Sequence, residues 1–528
     1  MSAHVDSFVR DRLPPPDLQP AFLFELPELR YPDELNAAVA LMRGGEPDTA
    51  AVLNDAGCWS YAEIDDSSDR LARLLVEQEG LVPGNRVLLR GPNTAFMFAA
   101  WLGVLKAGGV VVATMPMLRA GEIRTILDKA AVSHAIVDAR SIADFSAGAE
   151  GSSVRSTLTY DGDAGTGVLE ERLAEVAPGF PPCPTRADDP ALIAFTSGTT
   201  GTPKGCVHLH RDVLAPADSF ARHVLRPRPG ERWACSAPIA FTFGLGMLLI
   251  FPWRFGGTAV TVEQPGPRPL LEAVARHRVT TLATAPTAYR AMLPLLAEHD
   301  ISSLRTCVSA GEHLPAATWQ AWHAATGLRV VDGIGGTELM HIFISASGDD
   351  IRPGATGKVV PGYRATVLDA DGGPQTASTG RLAIRGPTGC RYLDDPRQSN
   401  YVQGGWNVTG DTYRLDEDGY FWFVARSDDM IVSAGYNIAA PEVENALLSH
   451  PAVLECAVIG TPCATRGQKV VAFVVPASGA APGPDLAAAL QAHVKQSIAP
   501  YKYPREIAFV DSLPKTATGK LQRFALRG

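Results

Sequence analysis

The chain has 528 residues, 46% hydrophobic and 20% charged. That is enough for a globular protein with a sizeable core, built as about three average domains or as one large and one small. A formal net charge of −9 supplies no basic excess against phosphate repulsion, which excludes a nucleic-acid partner but leaves room for a local nucleotide groove.

Near the N-terminus, Asp6, Arg10, Asp11 and Arg12 interrupt any apolar leader. Tyr61 to Glu77 has helical spacing, and Arg86-Val87-Leu88-Leu89 reads as a strand. The longest apolar stretch, Ala95 to Met115, is broken by Lys106, Gly108 and Gly109. It reads as a helix, a turn and the buried strand Val110-Val111-Val112-Ala113, and not as a membrane span. Further strands are expected at Ala191 to Ala194, Thr280 to Ala283 and Leu328 to Val331. Such alternation argues α/β layers with largely parallel sheets. Between Gly357 and Phe423 the pattern changes to short strands with Gly, Asp and Pro turns, for example Ala365 to Leu368 and Arg381 to Ile384. After Arg426 an α+β segment follows, with a helix from Glu442, strands near Val458 and Val470, and a helix near Leu486 to Ile498. The expected fold class is α/β. A large N-terminal domain (1–426) has layered α/β subdomains and a small β-subdomain, and a small α+β C-terminal domain (427–528) follows it. The eight cysteines form no CxxC pair, so neither zinc nor redox chemistry is suggested, and reduced thiols in the cytoplasm are expected.

The most informative stretch is Phe195-Thr196-Ser197-Gly198-Thr199-Thr200-Gly201-Thr202-Pro203-Lys204-Gly205. Glycines let backbone N–H groups approach a polyphosphate, the hydroxyls add donors, and Lys204 adds a mobile positive charge. It is not a Walker loop, because Pro203 precedes the lysine and Gly205 follows it. In Asp332-Gly333-Ile334-Gly335-Gly336-Thr337-Glu338, a carboxylate after a glycine-rich turn can share a Mg²⁺ ion with water and phosphate. Taken alone, an ordinary turn with an exposed glutamate is the commoner reading. Ser309-Ala310-Gly311-Glu312 follows another strand, and Gly410-Asp411 precedes an Asp-Glu-Asp-Gly turn. Near the end stands Pro514-Lys515-Thr516-Ala517-Thr518-Gly519-Lys520. A lysine between a carboxylate and a phosphate neutralises charge as they approach, and Lys515 and Lys520 are the candidates.

These motifs, in this order, resemble the adenylate-forming superfamily of acyl-CoA synthetases, adenylation domains and luciferases. The resemblance runs from about Ser60 to the C-terminus. It implies activation of a carboxylate by ATP to an acyl-adenylate and pyrophosphate, then transfer to a thiol. It implies that Thr196, Ser197, Gly198, Thr199, Thr200, Gly201 and Lys204 hold the phosphates and that Glu338 holds Mg²⁺ beside Thr337. Gly311, Glu312, Asp332, Gly333 and Ile334 would line the adenine side. Asp411 and Arg426 would take the ribose, with Phe423 beside them. Lys520 would be the catalytic lysine, and Lys515 fits less well. Asp428 matches the hinge about which the small, mobile domain rotates. Ala434, Gly435 and Tyr436 would line the pantetheine tunnel, and Tyr501 and Arg505 the coenzyme A nucleotide. Ala434 stands where many relatives have glycine.

Pro238-Ile239-Ala240-Phe241-Thr242-Phe243-Gly244 has Phe241 where relatives for aliphatic or bulky acids often carry histidine. With the Gly333 to Phe343 run it looks like the benzoate–CoA ligase branch. There, Thr242, Phe243, Ala310, Gly335, Gly336, His341 and Ile342 would form a slot for a flat aryl acid. His341 would either hydrogen-bond a ring substituent or carboxylate, or simply be a packed histidine. The runs Ala3 to Phe8 and Leu23 to Leu29 resemble 2-aminobenzoate–CoA ligases, making 2-aminobenzoate the expected acid. The alternatives are a free-standing adenylation enzyme loading benzoate or hydroxybenzoate onto a separate acyl carrier protein, and a non-catalytic nucleotide-binding relative. Retention of Lys204, Glu338, Asp411, Arg426 and Lys520 argues against the last. A downstream carrier protein or acyltransferase is a candidate partner.

Overall fold

The computed structural model describes residues 2–163, 167–196, 203–426, 430–433, 436–463, 466–515 and 521–526. Two sheets dominate the large domain. One has six strands, in the spatial order Ser156–Tyr160, His134–Asp138, Arg86–Arg90, Val110–Thr114, Pro190–Thr196 and Lys204–Leu209. All neighbours are parallel except the last pair. The other has nine strands, with Arg232–Cys235, Thr281–Thr284, Thr306–Ala310 and Val330–Gly335 as its parallel centre. Strands such as Arg86–Arg90 are buried at every residue, as expected of parallel sheets covered on both faces.

Local signals set the helices. Tyr61–Glu77 begins with a reciprocal capping box, in which Ser60 Oγ accepts from the Glu63 N–H and Glu63 Oε2 accepts from the Ser60 N–H. Ala95–Lys106 is capped by Thr94, whose Oγ1 accepts from the Met97 N–H. Nearly all of this helix is buried, with Phe98, Trp101 and Leu102 in the main core. A helix apolar all round belongs inside a large protein. Among the described residues, no helix is long and apolar enough to cross a membrane.

The expected β-subdomain is an antiparallel sheet that includes Arg364–Leu368, Thr379–Arg385, Trp406–Leu415 and Phe421–Arg426. A separate five-stranded sheet, Met430–Ser433 through Glu506–Phe509, packs on the helices Ala440–Leu448 and Pro484–Ser497 around its own core. This is the smaller C-terminal domain. Arg290 of the large domain donates to the carbonyl oxygen of Val453 at 2.6 Å, tying the two together.

Candidate active site

Strands Pro190–Thr196 and Lys204–Leu209 pair with Thr196 opposite Lys204, so the lysine opens the return strand. Its ammonium donates to the Tyr392 hydroxyl at 2.7 Å. Tyr392 donates to Glu338 Oε1 at 2.6 Å, and Lys204 and Glu338 stand 3.7 Å apart. Ser197, Gly198, Thr199, Thr200 and Gly201 lie outside the described residues.

Glu338 is approached differently from the sequence expectation. Asp332 to Gly335 is no turn: the strand Val330–Gly335 runs straight through it. It pairs with Thr306–Ala310 on one side and Ile342–Ser345 on the other. Ladder partners on both edges extend the backbone, and the glycines provide room there. A Cβ on Gly333 would come 2.7 Å from Ile342 Cγ2. The turn follows as a 3₁₀ helix, Thr337–Leu339, whose first carbonyl lies 2.7 Å from Nε2 of buried His208. Met340 leaves it at φ +68°, which is uncommon for a non-glycine residue, and is fully buried. Burial pushes the Asp332 carboxyl well above the usual range. Its carbonyl accepts from Ser345 Oγ.

Asp411 and Arg426 are cross-strand partners with 3.8 Å between carboxylate and guanidinium. Phe423 stacks on His313, ring centroids 5.3 Å apart. Gly311 has φ +91°, a left-handed conformation natural for glycine, just after the strand Thr306–Ala310. Next to it, Glu312 Oε1 accepts the backbone N–H of Leu521 at 3.1 Å, joining large domain and C-terminal tail. Lys520, Asp428, Ala434 and Gly435 lie outside the described residues. Tyr436 opens the strand Tyr436–Ala439. Arg505 donates to the Tyr503 hydroxyl at 2.6 Å and stacks on its ring, while Tyr501 is well exposed.

Of the residues expected to hold the aryl acid, Phe243, Ala310, Gly335, Gly336, His341 and Ile342 lie near one another. Ala310 pairs with Gly333, and Gly335 with Ile342. A Cβ on Gly336 would stand 3.4 Å from Glu338 Oε2, so this backbone runs directly up to the carboxylate. Thr242 is buried at the start of the short helix Thr242–Leu245. His341 is 3% exposed and packed against Phe220, Phe243 and Phe251. Its Nε2 lies 3.4 Å from the Phe243 carbonyl, and burial lowers its pKa to about 3. This geometry favours the packed alternative: a neutral imidazole behind Phe243.

Several site residues were not anticipated. Tyr392 joins two expected residues that lie 188 and 54 positions away in sequence. His208 pins the Thr337 turn, and a fully buried Arg391–Asp212 pair at 2.6 Å anchors the segment carrying Tyr392. The one sequence hint was a charged residue inside the apolar-flanked run Gly389-Cys390-Arg391-Tyr392-Leu393.

The site carries no cage of three or more His, Cys, Asp or Glu among the described residues. One glutamate beside a lysine fits Mg²⁺, which takes few protein carboxylates and completes its shell with water and phosphate.

The fold and site define a nucleotide-dependent carboxylate-activating enzyme, and comparison with known proteins agrees. The AMP-binding enzyme family matches residues 43–391, and the AMP-binding enzyme C-terminal domain matches residues 442–520. The chain belongs to this adenylate-forming family. The benzoate–CoA ligase of Thauera aromatica is 38% identical over 515 residues, covering 95% of this chain and 97% of that one. The crystal structure of the anthranilate CoA ligase AuaEII in complex with anthranoyl-AMP superimposes with a TM-score of 0.90 at 33% identity, covering 95% of this chain and 98% of that one. A benzoate CoA ligase from Burkholderia xenovorans LB400 gives a TM-score of 0.86 at 33% identity, covering 94% and 100%.

Proposed function

We propose that the protein is an AMP-forming aryl-CoA ligase whose preferred acid is 2-aminobenzoate. The acid's carboxylate oxygen attacks the α-phosphorus of ATP, and pyrophosphate leaves. The thiolate of coenzyme A then attacks the acyl carbon of the aryl-adenylate, and AMP leaves. Residues 1–426 bind ATP and the acid, and residues 427–528 bring Lys520 to the first step. Rotation at Asp428 then presents Ala434, Gly435 and Tyr436, with Tyr501 and Arg505, to coenzyme A.

The observation that carries this reading is the continuity of the glycine-rich strand with the charged site. Gly335 lies against the backbone of His341, whose ring packs on Phe220, Phe243 and Phe251, and Gly336 approaches Glu338. A flat acid lying along this strand has its carboxylate directed towards Lys204, Glu338 and Thr337. Bound Mg²⁺ supplies charge neutralisation at the phosphates. Lys204 supplies a second positive charge, and His208 holds the Thr337 carbonyl so that Glu338 keeps its orientation. Asp411 and Arg426 are spaced to take ribose hydroxyls. The apolar wall of Phe243, Ile334 and Ile342 excludes water and accepts an aryl ring.

An aryl amine is neutral near pH 7, so the pocket needs no carboxylate to receive it. Thr242, buried at the start of its helix, is the hydroxyl that would bind it. A neutral hydrogen bond contributes about 0.5–1.5 kcal/mol net, so benzoate remains a substrate, with a modest preference for the ortho-amino acid. The test is a panel of substituted benzoates, cinnamates and fatty acids with ATP and coenzyme A or an acyl carrier protein, read by product mass. Thr242→Ala narrows the ortho-amino preference and spares benzoate. Preference for 4-hydroxycinnamate or a fatty acid, or transfer to the carrier alone, overturns the proposal.

A further inference from the structure

Tyr392 stands between the two charged residues that the reaction needs at the phosphates. Its hydroxyl accepts from Lys204 at 2.7 Å and donates to Glu338 Oε1 at 2.6 Å. Both contacts are shorter than the 3.7 Å that separates lysine and glutamate. Lys204 and Glu338 are thus an ion pair held beyond hydrogen-bond distance; without the hydroxyl, ammonium and carboxylate would close into a hydrogen-bonded pair, because opposite charges in a partly buried site attract more strongly than in water. Each would then neutralise the other, and not the nucleotide or its metal.

The tyrosine is rigidly held. Its N–H donates to Gln398 Oε1 at 2.9 Å. The flanking residues bond to the strand that starts at Lys204: the Val207 N–H to the Arg391 carbonyl, and the Leu393 N–H to the Gly205 carbonyl, both at 2.8 Å. Arg391 is locked by its buried pairing with Asp212. The strand that begins at Lys204 thus also holds the segment of Tyr392, so the hydroxyl keeps its place beside the ammonium. The ring lies 4.6 Å from Lys204 Nζ, a contact that phenylalanine would retain.

We propose that Tyr392 is a positioning residue for the metal–phosphate end of the site: it keeps Lys204 and Glu338 apart and leaves the second Glu338 oxygen free for Mg²⁺. The inference rests on the nucleotide-binding part of the proposed function and needs neither the aryl acid nor coenzyme A.

The test is Tyr392→Phe, which removes one oxygen and keeps the ring. Calorimetry measures binding of a non-hydrolysable ATP analogue at a series of Mg²⁺ concentrations. A hydrogen bond to a charged group is worth roughly tenfold in affinity. The expected result is that Mg²⁺-dependent tightening weakens on the order of tenfold in the variant, and saturates at correspondingly higher Mg²⁺. Analogue binding in EDTA changes little, and so does aryl-acid binding. In turnover, KM for ATP rises with free Mg²⁺ lowered, and excess Mg²⁺ restores it. An unchanged Mg²⁺ dependence in Tyr392→Phe overturns the inference, as does an equal loss of acid and nucleotide binding, which marks a purely structural role. Failure of the aryl-CoA reading looks different: the wild type binds Mg²⁺-nucleotide normally yet forms no aryl-CoA.

Discussion

Gly335→Ala tests whether the acid pocket depends on close approach of two backbones. The glycine's φ lies outside the left-handed region, so alanine is acceptable to its own backbone and the only issue is space. A Cβ at Gly335 would lie 2.7 Å from both C and O of His341 and 2.9 Å from Ile342 N. All three are main-chain atoms, so no rotamer change relieves the overlap. Ordinary contact begins at 3.4 Å, so the strands Val330–Gly335 and Ile342–Ser345 must part by roughly 0.7 Å where the acid is proposed to bind. Overpacking of this kind costs about 1–3 kcal/mol of stability. A misplacement near 1 Å costs on the order of 10²-fold in rate. Benzoate-dependent pyrophosphate exchange should therefore fall by about that factor, with urea unfolding shifted but cooperative and nucleotide binding retained. Gly336→Ala is the internal control: its nearest neighbour would be a carboxylate oxygen at 3.4 Å, an ordinary contact distance, and the loss should be far smaller. Activation of benzoate by Gly335→Ala within about twofold of wild type would refute the packing argument.

Lys520→Ala should cripple adenylate formation by on the order of 10²–10³-fold while preformed aryl-adenylate still reacts with coenzyme A; normal pyrophosphate exchange would contradict the role. Arg391→Met should lower unfolding free energy by about 3–5 kcal/mol by stranding the buried Asp212 carboxylate. Adding Asp212→Leu should recover much of that in urea denaturation, and no recovery would mean that the pair is not the cause. Burial lowers His210 to about 3, His313 to about 4 and His341 to about 3, against about 6.5 in an unfolded chain. Above pH 6.5 both states are neutral. As pH falls below that value the unfolded chain binds protons that the fold refuses, so stability drops by up to about 4 kcal/mol per pH unit near pH 5. Proton uptake on unfolding at pH 5.5 measures this, and uptake of less than about one proton would rule it out.

Much of this protein was legible from local sequence. The helices Tyr61–Glu77 and Ala95–Lys106 begin at capping hydroxyls and follow an apolar spacing that needs no distant partner. The strands Arg86–Arg90 and Val110–Thr114 are short, wholly apolar or β-branched at their centres, and bounded by glycine, asparagine or proline. The order of the Ser/Thr/Gly loop and the Glu338, Asp411 and Lys520 motifs likewise points to the family without any tertiary contact. Pairing, by contrast, belongs to the tertiary structure. Asp332 to Gly335 reads as a turn because glycines favour turns, yet it is a strand because neighbours on both edges satisfy its backbone. His341 has a titratable ring, and only the aromatic rings around it make it a neutral packing element. Tyr392 sits in no motif of its own. It matters because the chain folds a hydroxyl between a lysine and a glutamate far from it in sequence, and a hydrogen bond depends on distance in space, which local pattern does not record.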